Sequence, residues 1–438
     1  MKYLLLNSLR KKNKTDLGEV LFLTGIFFLP STLFISILFL LTAAIIGSFL
    51  QKKSFLIDKW NKPFLTFGIL IIVSALVQNF VLSNNYSDIW DPRLSLVGIG
   101  NWIPFIWFFW AFQPFLSSIE QRRSFALTLI SGTVPVLITG FGQYFFNWSG
   151  PFETLNGLII WYQKPIENPG GLSGLFNHQN YAGSWLIFIW PFCLALILEK
   201  RNDLLKKLLE FCFLIFTGLA AFLTFSRNAW LGLIVSLPIM VRKKEFRFLF
   251  AIIPFILFTI FCILSALFKG DLQDSVSNFL PNKFLLEFTS EGYAGLDATR
   301  LEIFLSAINL VKSNPFFGIG AASFSQIYEQ ETTFWKGHAH NLPIELAVSY
   351  GLPAAIILCA TIIIIIFLSG KIIFSKEKSD NLFIFDRAFW VASSFFIFSQ
   401  LYDIQYFDGK IGIIAWILIS GLKNIIENQS NNPLKTLE

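Results

Sequence analysis

Lys336-Gly337-His338-Ala339-His340-Asn341 places two of the chain's three histidines two residues apart, directly before a long apolar run. Histidine's ordinary pKa lets it take or give a proton near neutral pH. An imidazole at the mouth of a hydrophobic segment points to chemistry at a membrane surface. The third histidine, His178, lies in Phe176-Asn177-His178-Gln179-Asn180, again just before an apolar run. Two arginines stand in comparable places. Arg227 occupies the polar break Thr224-Phe225-Ser226-Arg227-Asn228, and Arg300 opens an amphipathic stretch. A charge in a tight turn between membrane segments is costly without a partner or water. The bland reading of each arginine is a solvated or carbonyl-capping side chain. The functional reading is a two-pronged clamp for a diphosphate, because guanidinium groups offer paired donors to phosphate oxygens.

The carboxylates are fewer. Glu345 follows His340 by about one turn and is suited to a charged hydrogen bond with an arginine or histidine. Asp403 and Asp408 lie in Tyr402-Asp403-Ile404-Gln405-Tyr406-Phe407-Asp408, where they could orient a histidine or bind sugar hydroxyls. A solvated loop is the simpler explanation for both. No metal is expected: the histidine spacing suits an extended chain, no acidic ligand is close in sequence, and zinc takes three or four protein ligands. Cys193, Cys212, Cys262 and Cys359 all fall inside apolar segments, which implies neither a disulfide framework nor a cysteine metal site. Asp386 and Arg387 are expected to pair with each other. No Asp/Glu/His relay lines the apolar segments, which argues against proton-coupled transport.

These residues must be positioned by membrane helices. The chain has 438 residues, 54% hydrophobic and only 14% charged, against about a quarter charged in soluble domains. Runs such as 248–268 and 354–368 are long and unbroken by polar alternation, which excludes a β-barrel. The expected fold is all-α and polytopic, with about twelve spans at 20–30, 31–50, 63–82, 96–115, 124–145, 180–198, 208–225, 229–241, 246–268, 343–368, 383–402 and 411–426. The first two are separated only by Pro30-Ser31 and are read as a hairpin. With that reading, 24 of the 34 Lys+Arg residues fall on one side. The positive-inside rule makes that side cytoplasmic, with both termini on it. The basic N-terminus lacks a small-residue cleavage site and is expected to stay as an anchor. Topology, not nucleic acid, accounts for the net charge of +6.

The expected organisation is a cytoplasmic segment 1–19, N-terminal helices 20–268, a large outer loop 269–342, C-terminal helices 343–426 and a cytoplasmic tail 427–438. No internal repeat is evident, so an inverted-repeat transporter gains no support. Within the outer loop, Leu301, Phe304, Leu305 and Ile308 follow helical spacing, with Glu302, Ser306, Asn309 and Lys312 opposite. This predicts an amphipathic helix from about Asp297 to Asn314-Pro315, suited to the outer membrane surface and to membrane lipid. Arg300 in its first turn adds a cation to an anion-attracting helix terminus.

Arg300, the amphipathic helix, Asn314-Pro315-Phe316-Phe317-Gly318-Ile319-Gly320, His338-Ala339-His340-Asn341, Glu345 and Gly351-Leu352-Pro353 together resemble the C-terminal core of the O-antigen ligase/polymerase superfamily. Its ligases carry His-Asn, nine residues, then Gly-x-x-Gly. Here Gly351 fits and Ala354 replaces the last glycine. The resemblance is specific over about 222–370. It implies a GT-C-type glycosyltransferase of the inner membrane, with its site on the periplasmic face. The implied donor is a polyprenyl-diphosphate-linked glycan, and the implied acceptor is lipid A core, another glycan or a protein. It implies His340 as the catalytic base and Arg227 and Arg300 as diphosphate ligands, without a metal or other cofactor. His338, Asn341, Glu345, Gly351, His178, Asp403 and Asp408 are supporting candidates. A second resemblance, carried by Leu29-Pro30-Ser31 and by Tyr402–Leu422 with Phe407-Asp408-Gly409-Lys410 and Trp416, is to a cyanobacterial branch whose members carry the label of inorganic-carbon (bicarbonate) transporter. Bicarbonate transport, or an accessory role in it, is therefore the alternative.

Overall fold

The computed structural model describes residues 16–80, 89–157, 159–166, 170–199, 203–241, 300–375 and 383–430. The predicted span 246–268 and the first part of the predicted outer loop lie outside them. The described chain is helical apart from one short hairpin, and seven of its helical stretches are long and apolar enough to cross a membrane. The protein is an all-α polytopic membrane protein. It divides into two compact units: residues 1–134 with 298–438, and residues 135–297.

In the first unit, residues 16–28 form α1, and the chain turns back into α2 (Leu33–Leu50). Ser36 donates to the carbonyl of Gly25 at 2.7 Å, which clasps the two as the expected hairpin. There follow α3 (Asn61–Phe80), the short α4 (Leu94–Gly98), α5 (Ile103–Ala111) and α6 (Ile119–Gly132). The Ser118–Gln121 capping box starts α6. The chain re-enters this unit with α11 (Arg300–Ser313), α12 (Ser323–Thr332), α13 (Leu342–Tyr350), α14 (Leu352–Ser375), α15 (Phe383–Ser399) and α16 (Gly409–Ser430). The predicted span 343–368 is thus two helices, α13 and α14, broken at Gly351.

α16 is the central helix, with 83% of its apolar window buried, against 33% for α14. α16 packs on α5, α14 and α15, while α14 also covers α3 and α13. The bare apolar side of α14, including Ile356, Ile363 and Phe367, is the kind of surface that lipid covers.

Two buried charge networks tie helices of this unit together. Arg122 of α6 donates from Nε and Nη2 to the two oxygens of Asp386, at 2.6 and 2.9 Å. The expectation that Asp386 pairs with Arg387 is therefore corrected. Neighbours in a helix point about 100° apart, whereas α6 presents a planar donor pair directly to the carboxylate. Lys423, deep in α16, donates to Asp58, Gln113 and Glu427 at 2.7–2.8 Å. Lys410 donates to the carbonyl of Pro30 at 2.9 Å, joining two segments that are far apart in sequence.

The second unit holds α7 (Val134–Phe146), the hairpin β1 (Phe152–Thr154) with β2 (Ile159–Trp161), α8 (Gln179–Leu198), α9 (Leu204–Leu223) and α10 (Arg227–Met240). α8, α9 and α10 pack together. Asp203 caps α9 by accepting the Lys206 amide at 3.2 Å.

Candidate active site

The His-Asn motif and its spacing have a direct structural origin. Asn341 is the N-cap of α13, accepting the Ile344 amide at 3.1 Å. The nine residues that follow are α13 itself, and Gly351 ends it with φ +89°. A Cβ at Gly351 would lie 2.1 Å from the carbonyl oxygen of Phe316, so backbone approach and dihedral both demand glycine. The spacing between His340-Asn341 and Gly351 is therefore the length of one helix.

The segment before α13 is held residue by residue. The Ala339 amide donates to Glu345 Oε2 at 2.8 Å. The His340 amide donates to His338 Nδ1 at 3.2 Å. Asn341 Nδ2 donates to the carbonyl of Leu401 at 3.1 Å, and the Leu342 amide to that of Gln400 at 2.9 Å. His340 itself sits at φ +53°, a left-handed conformation uncommon for a residue with a side chain. These bonds hold that conformation and turn the imidazole toward the loop between α15 and α16.

That loop supplies Asp403. It is closed by Gln400, whose side-chain oxygen accepts the amides of Gln405 and Tyr406 at 3.0 and 3.2 Å. Asp403 Oδ1 lies 2.8 Å from His340 Nδ1. A carboxylate only accepts, so the assigned tautomer puts the proton on Nδ1 and leaves Nε2 with its lone pair. Arg300, the first residue of α11, donates to the carbonyl of Tyr402 and stands 3.8 Å from Asp403 Oδ1. The His338 and His340 rings meet edge to face, 4.4 Å between centroids.

The electrostatics follow from these contacts. Burial raises the Asp403 pKa, but the His340 hydrogen bond and the Arg300 guanidinium outweigh it and hold the carboxyl well below the usual range. His338 is pushed down to about 4, first by burial and then by His340, so it is neutral at pH 7. With Nδ1 accepting the His340 amide, its proton belongs on Nε2.

His338, His340 and Asp403 offer ligand atoms within 4.8 Å of one another. Three such donors meet the minimum for zinc. Here His338 Nδ1 already accepts an amide, Asp403 Oδ1 already holds His340, and a guanidinium stands beside that oxygen.

The first unit thus brings together His340, Asp403, Arg300 and His338, with Asn341 and Glu345 beneath them. Glu345 serves through a backbone amide, not through the arginine or histidine partner expected of it. Asp408 does not join them. It caps α16, accepting the amides of Lys410 and Ile411 at 3.0 and 3.2 Å. Arg227 and His178 belong to the second unit. Arg227 opens α10 with an exposed side chain, after Phe225 at φ +50°. His178 is the N-cap of α8, its Nδ1 accepting the Asn180 amide at 3.1 Å. Sequence reasoning missed α12, the Arg122–Asp386 pair and the three-partner burial of Lys423. A lysine one turn inside an apolar run was the available signal for the last.

Residues 212–359 match the family described as O-antigen ligase. The matched stretch is less than half of the chain. It contains Arg227, Arg300, His338, His340, Asn341, Glu345 and Gly351, and leaves His178, Asp403 and Asp408 outside. The resemblance to the O-antigen ligase superfamily is borne out over that stretch. A search of curated proteins finds no match.

Proposed function

We propose, from the O-antigen ligase match together with the His340–Asp403 pair, that this protein is a membrane glycosyltransferase of the O-antigen ligase/polymerase type. It moves a glycan from a polyprenyl-diphosphate donor to an acceptor hydroxyl at the periplasmic face of the inner membrane. Lipid A core, another glycan or a protein is the acceptor class. The observation that carries the reading is an imidazole held in one tautomer by a buried carboxylate, with an arginine at the same carboxylate.

His340 Nε2 accepts the proton of the acceptor hydroxyl as its oxygen attacks the anomeric carbon. The new glycosidic C–O bond forms while the bond from that carbon to the diphosphate oxygen breaks. Asp403 stabilises the imidazolium that results, as a carboxylate does behind a general base. Negative charge grows on the departing diphosphate, and guanidinium donors are the groups that stabilise it. Arg300, beside Asp403, takes that role. His338 and Glu345 position the backbone that presents His340. Every group in this scheme belongs to the chain, and the reaction so written requires no metal.

The test is transfer of a labelled lipid-linked glycan in reconstituted membranes. His340→Ala should abolish transfer while the protein still inserts and keeps its helical spectrum. Transfer at the wild-type rate would remove His340 from this role. For the bicarbonate alternative, the corresponding measurement is uptake of labelled bicarbonate by proteoliposomes holding only this chain. The buried cations Arg122 and Lys423 are committed to carboxylate and amide partners, as structural charges are.

A further inference from the structure

We propose that α11 is an interfacial helix whose bare apolar strip sits in the headgroup–acyl boundary of the bilayer, at the edge of the bundle end that carries His340. The helix has three faces. Ile303, Ala307, Leu310 and Val311 are buried, and α11 packs on α13. None of the described residues fully covers Leu301, Phe304 and Leu305: Leu301 is 65% and Leu305 51% exposed. Sequence spacing marked this second strip as the apolar face, and the structure packs the neighbouring one instead. At about 100° per residue the two strips point roughly 120° apart, and Glu302 and Asn309 occupy the remaining side.

The two ends of α11 fix its direction. At the start, Arg300 donates to the carbonyl of Tyr402, in the loop joining α15 to α16. Beyond the end, the carbonyl of Pro315 accepts the amide of Leu352, the first residue of α14, at 2.8 Å. The carbonyl of Phe317 accepts from Ser74 and Gln78, in the last turns of α3. α3, α14 and α16 are three of the helices able to span a membrane. Both ends are therefore tied to the same end of the bundle. Fourteen residues of helix, ~21 Å long, run across that end, not along the spans.

The strip also continues an apolar exterior. Phe316, 71% exposed, follows α11 directly, and Ile356 on the bare side of α14 is 61% exposed. The lipid that covers α14 thus borders the level at which α11 lies. A helix along the surface, with one apolar side, a polar side and Lys312 at the end of the apolar strip, where its stem can lie on that strip and its ammonium reach water, has the form of an interfacial element. Lipid is its occupant because the strip adjoins a surface that lipid already covers. Anchoring α11 there holds Arg300, its first residue, at the lipid–water boundary.

The experiment uses the full chain in phosphatidylethanolamine/phosphatidylglycerol vesicles containing a phospholipid with a diazirine high on its acyl chain. After irradiation, trypsin releases the peptide between Arg300 and Lys312. Carbene adducts are expected on Leu301, Phe304 and Leu305, and not on Glu302 or Asn309. An unlabelled peptide in a sample where Ile356 is labelled would overturn the proposal. A second measurement places nitroxides at Leu305→Cys or Asn309→Cys after replacing the four native cysteines by alanine. Molecular oxygen should reach the Leu305 label better, and chelated nickel the Asn309 label. Equal access of the nickel chelate to both positions would put the strip in water and refute the interfacial placement. Neither readout depends on glycosyl transfer.

Discussion

His340 and Asp403 are 63 residues apart in the chain and 2.8 Å apart at Nδ1 and Oδ1. One side chain comes from a left-handed residue just before α13, the other from the loop between α15 and α16. The carboxylate is the group that gives the imidazole a fixed tautomer. Asp403→Asn keeps the size and removes the charge, so the amide can hold either tautomer. Transfer should fall by about 10²–10⁴-fold, the usual worth of a positioned base, with donor binding little changed. A titration of donor against rate separates the two effects.

Arg300 donates to the Tyr402 carbonyl and flanks Asp403 at 3.8 Å. Lysine in its place keeps the charge and loses the planar pair of donors. Charge-assisted bonds contribute about 1.5–3 kcal/mol each, so Arg300→Ala should lower transfer by about 10–100-fold. Arg300→Lys should recover only part of it. Competition by inorganic diphosphate, measured on both variants, would show whether the loss lies in anion binding.

His338 gives a pH signature. Its folded pKa of about 4 lies below the ordinary histidine value because burial disfavours the cation. The unfolded chain therefore binds a proton that the folded chain refuses. The stability at stake is present in full above about 6.5 and is lost as pH falls toward 4. His338→Gln can still accept the His340 amide and does not titrate. Its melting temperature should drop less than that of the wild type between pH 7 and pH 4.5, as followed by circular dichroism in detergent. Parallel curves would show that His338 is not the group responsible.

Gly351→Ala is expected to be harmful although the change is one methyl group. Its Cβ would meet the Phe316 carbonyl oxygen at 2.1 Å, at φ +89°. Such backbone costs on the order of 1–3 kcal/mol for residues other than glycine, before the clash is counted. Because the same contact sets the junction of α13 and α14, thermal stability and transfer should fall together. Ala354→Gly, which restores the second glycine of the motif, should cost only the ~0.5–1 kcal/mol of glycine in a helix and leave transfer nearly unchanged. Ala354 is fully buried in α14 and follows the break instead of forming it.

The Arg122–Asp386 pair is nearly inaccessible on both sides. Arg122→Ala should cost about 3–5 kcal/mol, because it strands a buried carboxylate. The double replacement Arg122→Leu with Asp386→Leu should cost much less. A thermal-unfolding double-mutant cycle reads the coupling, and a loss in the double variant equal to the sum of the two single losses would show that the two charges act independently.

Sequence alone determined the class of the protein and most of its helices. Long apolar runs have one stable solution in lipid, because backbone polar groups must be satisfied within the segment. It also determined the local frame of the candidate site, because asparagine and glycine at fixed spacing encode a cap, one helix and a positive-φ stop. Several things were decided only by tertiary structure. Asp403 and Asp408 share one short loop and look equivalent in sequence, yet one meets His340 and the other caps α16. Asp386 stands beside Arg387 in sequence, yet binds Arg122 from another helix. α11 carries two apolar strips, and packing against α13 decided which became core. Local spacing fixes what a side chain can do. Which partner it meets depends on contacts between segments far apart in the chain, and those are set only when the helices pack.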